Sequence, residues 1–454
     1  MRIKPSLALT LSDISNVLDV PINEDAEINA ITTDSRLCEK SDLFIAIPGE
    51  NTDGRNYIDQ ALFSGAFVVA DSDKATFKVD DAKNALLKIA AYYKEKIKPA
   101  YTVAVTGSVG KTTTKDFIAT LISAVMPTHK TKDNYNNILG LSYTLLSMPT
   151  NTRALVCELG MNHKDEINVL SRALKPDVSL ITNIGTAHIG NLGSKKAIAE
   201  AKLEIQNGMN GGKIIVFKEE ELLKDAQNPF FISRICEEAD IFFTELCRSE
   251  NGSEIFVKTK NYEKIFTTNL NSSHTIDSLM LAVAVCSVIG IPENDIANGI
   301  KNISRESLRQ KFLTFNGYTI FDDSYNSSPE AVIADLKMLS EQNLNISALI
   351  GDMLELGCES KKLHRCIGAQ CAKYSVKKLY AFGKYADEVA KGAYFAGMKK
   401  KDIFVNKDLS HPNRTAMHIR KSYEGETILV KGSHNVNLDR IIQLLKRKEN
   451  EALD

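Results

Sequence analysis

The chain has 454 residues, too many for one hydrophobic core, and domains of about 100 to 200 residues predict two to four units. Its 56 Lys and Arg against 57 Asp and Glu leave a net charge of -1, so there is no basic footprint for nucleic acid or an acidic membrane, and the expected substrates are small molecules. No run reaches the roughly 18 apolar residues of a membrane span, Met1 to Leu11 lacks a signal-peptide core, and 8 scattered cysteines without a Cys-x-x-Cys pair fit buried reduced thiols, which predicts a cytoplasmic protein.

Three segments of an α/β chain follow in order. Residues 1–98 hold strand-like Leu43 to Ile47 and Phe67 to Ala70 around a helix over Tyr57 to Ser64. The charged helix Ala82 to Lys98, stopped by Pro99, closes this small α/β unit. Residues 99–307 alternate strands and helices regularly, with strands at Val103, Leu155 to Glu158, Val178 to Asn183 and Ile214 to Phe217, as a mononucleotide-binding sheet does. A less regular stretch follows, with strand-like Ile241 to Thr244, Glu254 to Val257 and Lys264 to Thr267. A helix over Asp277 to Ile289, stopped by Gly290, ends it. Residues 308–454 alternate again, with strands at Thr319 to Asp322, Ala348 to Gly351, Leu379 to Gly383, Ile403 to Val405 and Ile428 to Val430, predicting a second, Rossmann-like doubly wound sheet. There is no internal repeat and no low-complexity stretch.

The most informative residues lie between the first central strand and its helix. An apolar run ends in Thr106-Gly107-Ser108-Val109-Gly110-Lys111-Thr112-Thr113, and Lys115 to Val125 then carries a helical apolar face. Two glycines let backbone N–H groups converge on an anion at the helix N-terminus, where the helix dipole adds positive charge. Lys111 is placed to reach the terminal phosphates of a nucleotide and Thr112 to ligate Mg²⁺. Only Ser108 and Val109 separate the glycines, against four residues in the usual P-loop. ATP is the expected nucleotide; a turn that binds nothing is the alternative.

Ligands of open α/β sheets bind at the carboxyl ends of the central strands. Glu158 and Asn183 end two such strands, and His188 follows in Gly-Thr-Ala-His. With Thr112, these form a Mg²⁺ and phosphate constellation, in which the histidine suits a second divalent ion. The bland reading of His188 is a loop histidine satisfied within its own turn.

Thr106 to Lys115, Asp133-Asn134-Tyr135-Asn136-Asn137, Glu158-Leu159-Gly160, Thr182-Asn183 with Ala187-His188, and Ala201-Lys202 together resemble the central domain of the ATP-dependent Mur ligases of peptidoglycan synthesis. Thr33-Asp34-Ser35-Arg36 with Asp42-Leu43-Phe44 and Asp53-Gly54 is similar to that family's UDP-sugar domain. The run Phe321 to Pro329, Gly351 to Gly357 and Val430-Lys431-Gly432-Ser433 are similar to its C-terminal domain, in the branch that adds D-alanyl-D-alanine.

The resemblance implies that ATP phosphorylates the terminal carboxylate of a UDP-muramoyl tripeptide and that the amine of D-alanyl-D-alanine attacks the acyl phosphate. It implies catalytic Lys111, His188 and Lys202. Metal ligands would be Thr112, Glu158, His188 and a carbamylated Lys202, whose bland reading is an ordinary helix-surface lysine. Further ATP contacts would fall at His274, Arg309, Asp323, Tyr325 and Asn326, and contacts to the UDP substrate at Ser35, Arg36, Asn136 and Asn137. A monomer acting on small-molecule substrates, without nucleic acid, is expected. The chain departs from the family pattern at His274, followed by Thr275 and Ser278 in place of asparagines, and at His434 in place of arginine. A related ligase for a different amine, and a nucleotide-binding scaffold without catalysis, stay open on the residues alone.

Overall fold

Three large sheets, one per segment, and a two-stranded ribbon of Leu9–Thr10 with Glu27–Ile28 make up the described sheets, and the short strands of the first come from β-branched and aromatic runs. A computed structural model describes residues 1–49, 52–249, 251–303, 311–324, 327–342 and 344–447. The first sheet has the order Arg2–Ile3, Ile31–Thr32, Leu43–Ile45, Phe67–Ala70, Phe77–Lys78, with its first pair antiparallel and the rest parallel.

The helix Ala82–Ile97 starts where the Asp81 side chain accepts from the N–H groups of Lys83 and Asn84, and it stops at Lys98, whose φ of 54° precedes Pro99. Leu86, Ile89, Ala90 and Tyr93 share its buried face by their 3- and 4-residue spacing. That face lies in one continuous core with the first sheet and with Leu141 and Leu145 of the helix Ile138–Leu146. Tyr93 Oη donates to Met148 O at 3.0 Å and accepts from the N–H groups of Ser6 and Leu7. The chain passes from one sheet to the next at Pro99, but the core does not break there.

The central sheet has nine strands in the order Glu263–Thr268, Gly252–Thr259, Ile241–Ser249, Pro229–Ser233, Lys213–Phe217, Val178–Ile181, Tyr101–Thr106, Ala154–Glu158, Thr128–Lys130. It is parallel except for the first two pairings, so the irregular stretch of the sequence is an antiparallel extension of the same sheet. Tyr101–Thr106 has Val178–Ile181 on one side and Ala154–Glu158 on the other, and its carboxyl end is therefore a topological switch point. The helix Ser273–Val288 is buried along most of its length, from Thr275 to Cys286 on nearly every face, and packs with Lys111–Ser123 over one side of this sheet.

The last sheet runs Lys311–Phe315, Tyr318–Asp322, Thr427–Lys431, Ile346–Gly351, Leu379–Phe382, Ile403–Asn406, parallel after its first pair, with apolar cores on both faces. The chain is thus an α/β protein with a large sheet in each of three units, as expected from the sequence. Among the described residues no helix is long and apolar enough to cross a membrane.

Candidate active site

The turn after Tyr101–Thr106 needs its glycines. Gly107 has φ 148° and Gly110 φ 83°, and a Cβ on Gly107 would stand 1.8 Å from Thr182 Oγ1. The next strand end clamps the turn: Thr182 Oγ1 and Asn183 Nδ2 donate to Val109 O at 2.6 and 2.9 Å, and Asn183 Oδ1 accepts from Val109 N–H at 3.0 Å. Gly185 N–H donates to Ser108 Oγ at 2.8 Å. The helix Lys111–Ser123 then begins on Gly110 with no capping side chain, so its first-turn N–H groups open onto the loop. Lys111 Nζ folds back to Gly107 O at 2.9 Å and Ser108 O at 3.3 Å.

Glu158, 2% exposed at the end of its strand, is the carboxylate facing this loop. Thr112 Oγ1 donates to its Oε2 at 2.7 Å and Asn136 Nδ2 to its Oε1 at 2.8 Å. The pair offers hard oxygen donors suited to Mg²⁺. No group of three or more His, Cys, Asp or Glu side chains gathers among the described residues, so the remaining positions would fall to phosphate oxygens and water, as Mg²⁺ prefers. The residues fit that ion.

Lys202 is 1% exposed in the helix Lys195–Leu203, which excludes the helix-surface reading. No described carboxylate pairs with it; burial, with the charge of Lys111 second, holds its ammonium well below the ordinary lysine value. His188, with φ 66°, stands 2.6 Å from Glu355 Oε2 through its Nδ1, off the ideal hydrogen-bond angle. It faces the C-terminal unit, a partner the sequence reading did not foresee.

A cleft of about 330 Å³ runs from Val109, Gly110 and Thr113 to His274 and Ser278. Burial, then the Lys431 charge, brings His274 down to about 4, so it is a neutral ring at physiological pH. Arg234 and Asp277, paired at 2.8 Å, form another wall of this cleft. The sequence reading missed them because Arg234 follows Pro229–Ser233, a strand it did not foresee, and neither residue carries a motif. Asp323, expected at the nucleotide, is paired with buried Lys431, which also meets Asp335 at 3.0 Å. Despite the penalty of burial, these two carboxylates hold the Lys431 ammonium charged. Arg309, Tyr325 and Asn326 lie outside the described residues.

The residues expected to contact UDP have partners within the protein. Ser35 Oγ donates to Gln60 Oε1 at 3.0 Å. The Arg36 guanidinium, 81% exposed, is held on Asp34 at 2.8 Å, and that hydrogen bond brings Asp34 down to about 2. Asn137 Oδ1 caps the helix Ile138–Leu146 by accepting from Gly140 N–H at 2.9 Å, and Asn136 braces Glu158. In this arrangement the side chains of Ser35, Asn136 and Asn137 are engaged with the protein, and Arg36 and Asn137 are exposed to solvent.

Comparison with known proteins gives three matches along the chain. The Mur ligase family catalytic domain matches residues 27–105, the Mur ligase middle domain residues 105–286, and the Mur ligase glutamate ligase domain residues 308–434. A protein of Bacillus subtilis (strain 168) named UDP-N-acetylmuramoyl-tripeptide--D-alanyl-D-alanine ligase is 32% identical, over 95% of this chain and 96% of its own. Its namesake from Synechocystis sp. is 29% identical over 96% and 97%. The crystal structure of MurF from Acinetobacter baumannii superposes with a TM-score of 0.87 at 27% identity, covering 98% of this chain and 100% of that one.

Proposed function

This chain belongs to the Mur ligase family, and from that premise we propose that it joins D-alanyl-D-alanine to UDP-N-acetylmuramoyl-tripeptide with the hydrolysis of ATP to ADP, in peptidoglycan precursor synthesis. The observation that carries the reading is the buried Glu158 bonded to Thr112 beside the glycine loop, at the switch point of the sheet.

In this reading Lys111 leaves its loop carbonyls for the β- and γ-phosphates, and the N–H groups of the loop and helix end cradle them. Magnesium, when bound at Thr112 and Glu158, neutralises charge on the transferring phosphoryl group. Asn136 keeps the Glu158 carboxylate turned toward Thr112. The cleft toward His274 takes the base and ribose, Arg36 offers a cation to the UDP group, and His188 with a carbamylated Lys202 would hold a second divalent ion that draws the acceptor carboxylate to the γ-phosphate. Burial supports Lys202 as a carbamate, since only a neutral amine adds CO₂, and the resulting anion removes a charge that would repel metal. The amine then attacks the acyl phosphate and phosphate leaves. A cytoplasmic monomer, with reduced cysteines and domain boundaries near residues 98 and 307, completes the proposal.

Phosphate release measured with a panel of UDP-muramoyl peptides and amines tests it. Release that needs both the tripeptide and D-alanyl-D-alanine is expected. Release with another amine in place of D-alanyl-D-alanine would make this a related ligase, and no release with any pair would make it a scaffold.

A further inference from the structure

Two carboxylates of the C-terminal unit reach the same short stretch beside the phosphate loop. Glu330, in the first turn of Pro329–Glu341, accepts from Thr186 N–H at 2.8 Å and from the Thr186 hydroxyl at 3.1 Å. Glu355 brings its Oε2 to 2.6 Å from His188 Nδ1, and its backbone carbonyl accepts from Gly190 N–H at 2.9 Å. The approach is tight on both sides. A Cβ on Gly185 would stand 2.9 Å from Glu330 Cδ, and one on Gly190 2.5 Å from the Gly357 nitrogen. The same stretch is tied to the phosphate loop through Gly185 N–H and Ser108 Oγ.

The arm carrying Glu355 is braced from behind. Met353 N–H donates to His364 Nε2 and Leu354 N–H to Ser433 Oγ, each at 2.9 Å. The Asp352 carboxylate accepts from Lys384 N–H at 2.7 Å and Tyr385 N–H at 2.8 Å. A loop held at three points transmits a displacement of its sheet to Glu355 instead of absorbing it.

We propose that Glu330 and Glu355 are positioning residues, which set the place of the Gly185 to Gly190 stretch, and with it His188, according to how the C-terminal unit is docked. His188 is then in register with the phosphate loop only when both contacts are made, and domain docking is coupled to phosphoryl transfer by these two side chains. The inference rests on the reading of that loop as the ATP site.

The test compares Glu330→Ala with Glu355→Ala, singly and together, and the isosteric Glu330→Gln and Glu355→Gln, which keep an acceptor. Phosphate-release kinetics on the full chain are expected to show kcat lowered about tenfold to a hundredfold in the double alanine variant with KM for ATP little changed, because misplacement costs chemistry more than binding. The glutamine variants should stay near wild type. Hydrogen–deuterium exchange gives a readout independent of turnover: amides of residues 185–190 should exchange faster in the alanine variants while those of residues 103–115 do not. Thr186→Val, which removes the hydroxyl from the other side, should raise the same exchange. Unchanged exchange at residues 185–190, or alanine variants with wild-type kcat, overturns the proposal, as does a uniform loss of thermal stability without a specific fall in kcat. A wild-type protein that releases no phosphate would sink the ligase reading instead, and the exchange arm would still decide the coupling.

Discussion

Thr112 Oγ1 and Glu158 Oε2 lie 2.7 Å apart although 46 residues separate them, because adjacent parallel strands end side by side at the switch point of the central sheet. The hydroxyl belongs to the helix that begins at the glycine loop and the carboxylate to the neighbouring strand, so the pair exists only when loop and sheet are both formed.

The first prediction follows from Lys111, whose ammonium is held against the carbonyls of Gly107 and Ser108 in the loop. Lys111→Ala should lower kcat/KM by about 3 kcal/mol or more, the cost of one preorganised charge contact, with the melting temperature nearly unchanged. Steady-state phosphate release alongside calorimetry checks it, and activity within tenfold of wild type would refute the assignment.

Glu158 should matter to the fold as well as to the ion. Glu158→Ala strands the half-buried Asn136 amide and Thr112 hydroxyl and should cost about 1 kcal/mol of stability. Glu158→Gln should fold better yet need a much higher Mg²⁺ concentration for half-maximal rate. A magnesium titration that coincides with wild type would contradict the Mg²⁺ role.

Lys202 gives a prediction that separates stability from activity. Its amine is buried without a described carboxylate, so Lys202→Met should leave the melting temperature equal or higher while abolishing ligation. Short carboxylates should partly restore Lys202→Ala, whereas Lys202→Arg stays inactive. Carbon-13 bicarbonate should yield a carbamate resonance in wild type that is missing in Lys202→Met; its absence from wild type would leave Lys202 an uncarbamylated buried lysine.

In the turn after the strand Ile31–Thr32, Arg36 and Ser35 should part company. Arg36→Ala should raise KM for the UDP substrate with little change in stability, because its 81% exposed guanidinium is held only by the solvent-facing pair with Asp34 and can exchange it for a ligand. Ser35→Ala removes a hydrogen bond to Gln60 and should cost about 1 kcal/mol of stability. Equal KM effects from both would mean that the Ser35 hydroxyl leaves Gln60 for the substrate.

The pH dependence of stability should carry a signature of His364. Burial, only partly offset by its bond to Ser360 O, lowers its affinity for a proton, and Nε2 accepts from Met353 N–H only while the ring is neutral. The folded state therefore binds fewer protons than the unfolded one, so this stability is complete above the unfolded value of about 6.5 and is lost as pH falls below it. Denaturant melts from pH 7 to 5 should lose less stability in His364→Gln than in wild type, and parallel profiles would exclude the linkage.

Much of this was legible in the residues themselves. The strand runs, the glycine loop and the periodicity of the helices are local: a Thr-Gly-Ser-Val-Gly-Lys-Thr run bends the backbone by its own glycines wherever a strand precedes a helix. Buried cysteines such as Cys157 and Cys286 were likewise readable from their apolar neighbours. Partners distant in sequence were not. Nothing near His188 announces Glu355, nothing near Thr186 announces Glu330, and Asn137 reads as a ligand residue or a helix cap with equal ease until the N–H of Gly140 is seen against it. The burial of Lys202 and the neutral ring of His274 are set by what the sheets stack over them, since desolvation depends on all surrounding elements and on no local pattern. Sequence by itself determined the central strands and helices, the family and the glycine loop between strand and helix. Only the tertiary structure decided which charges are buried and which side chains the docked sheets bring together, because those follow from packing at long range.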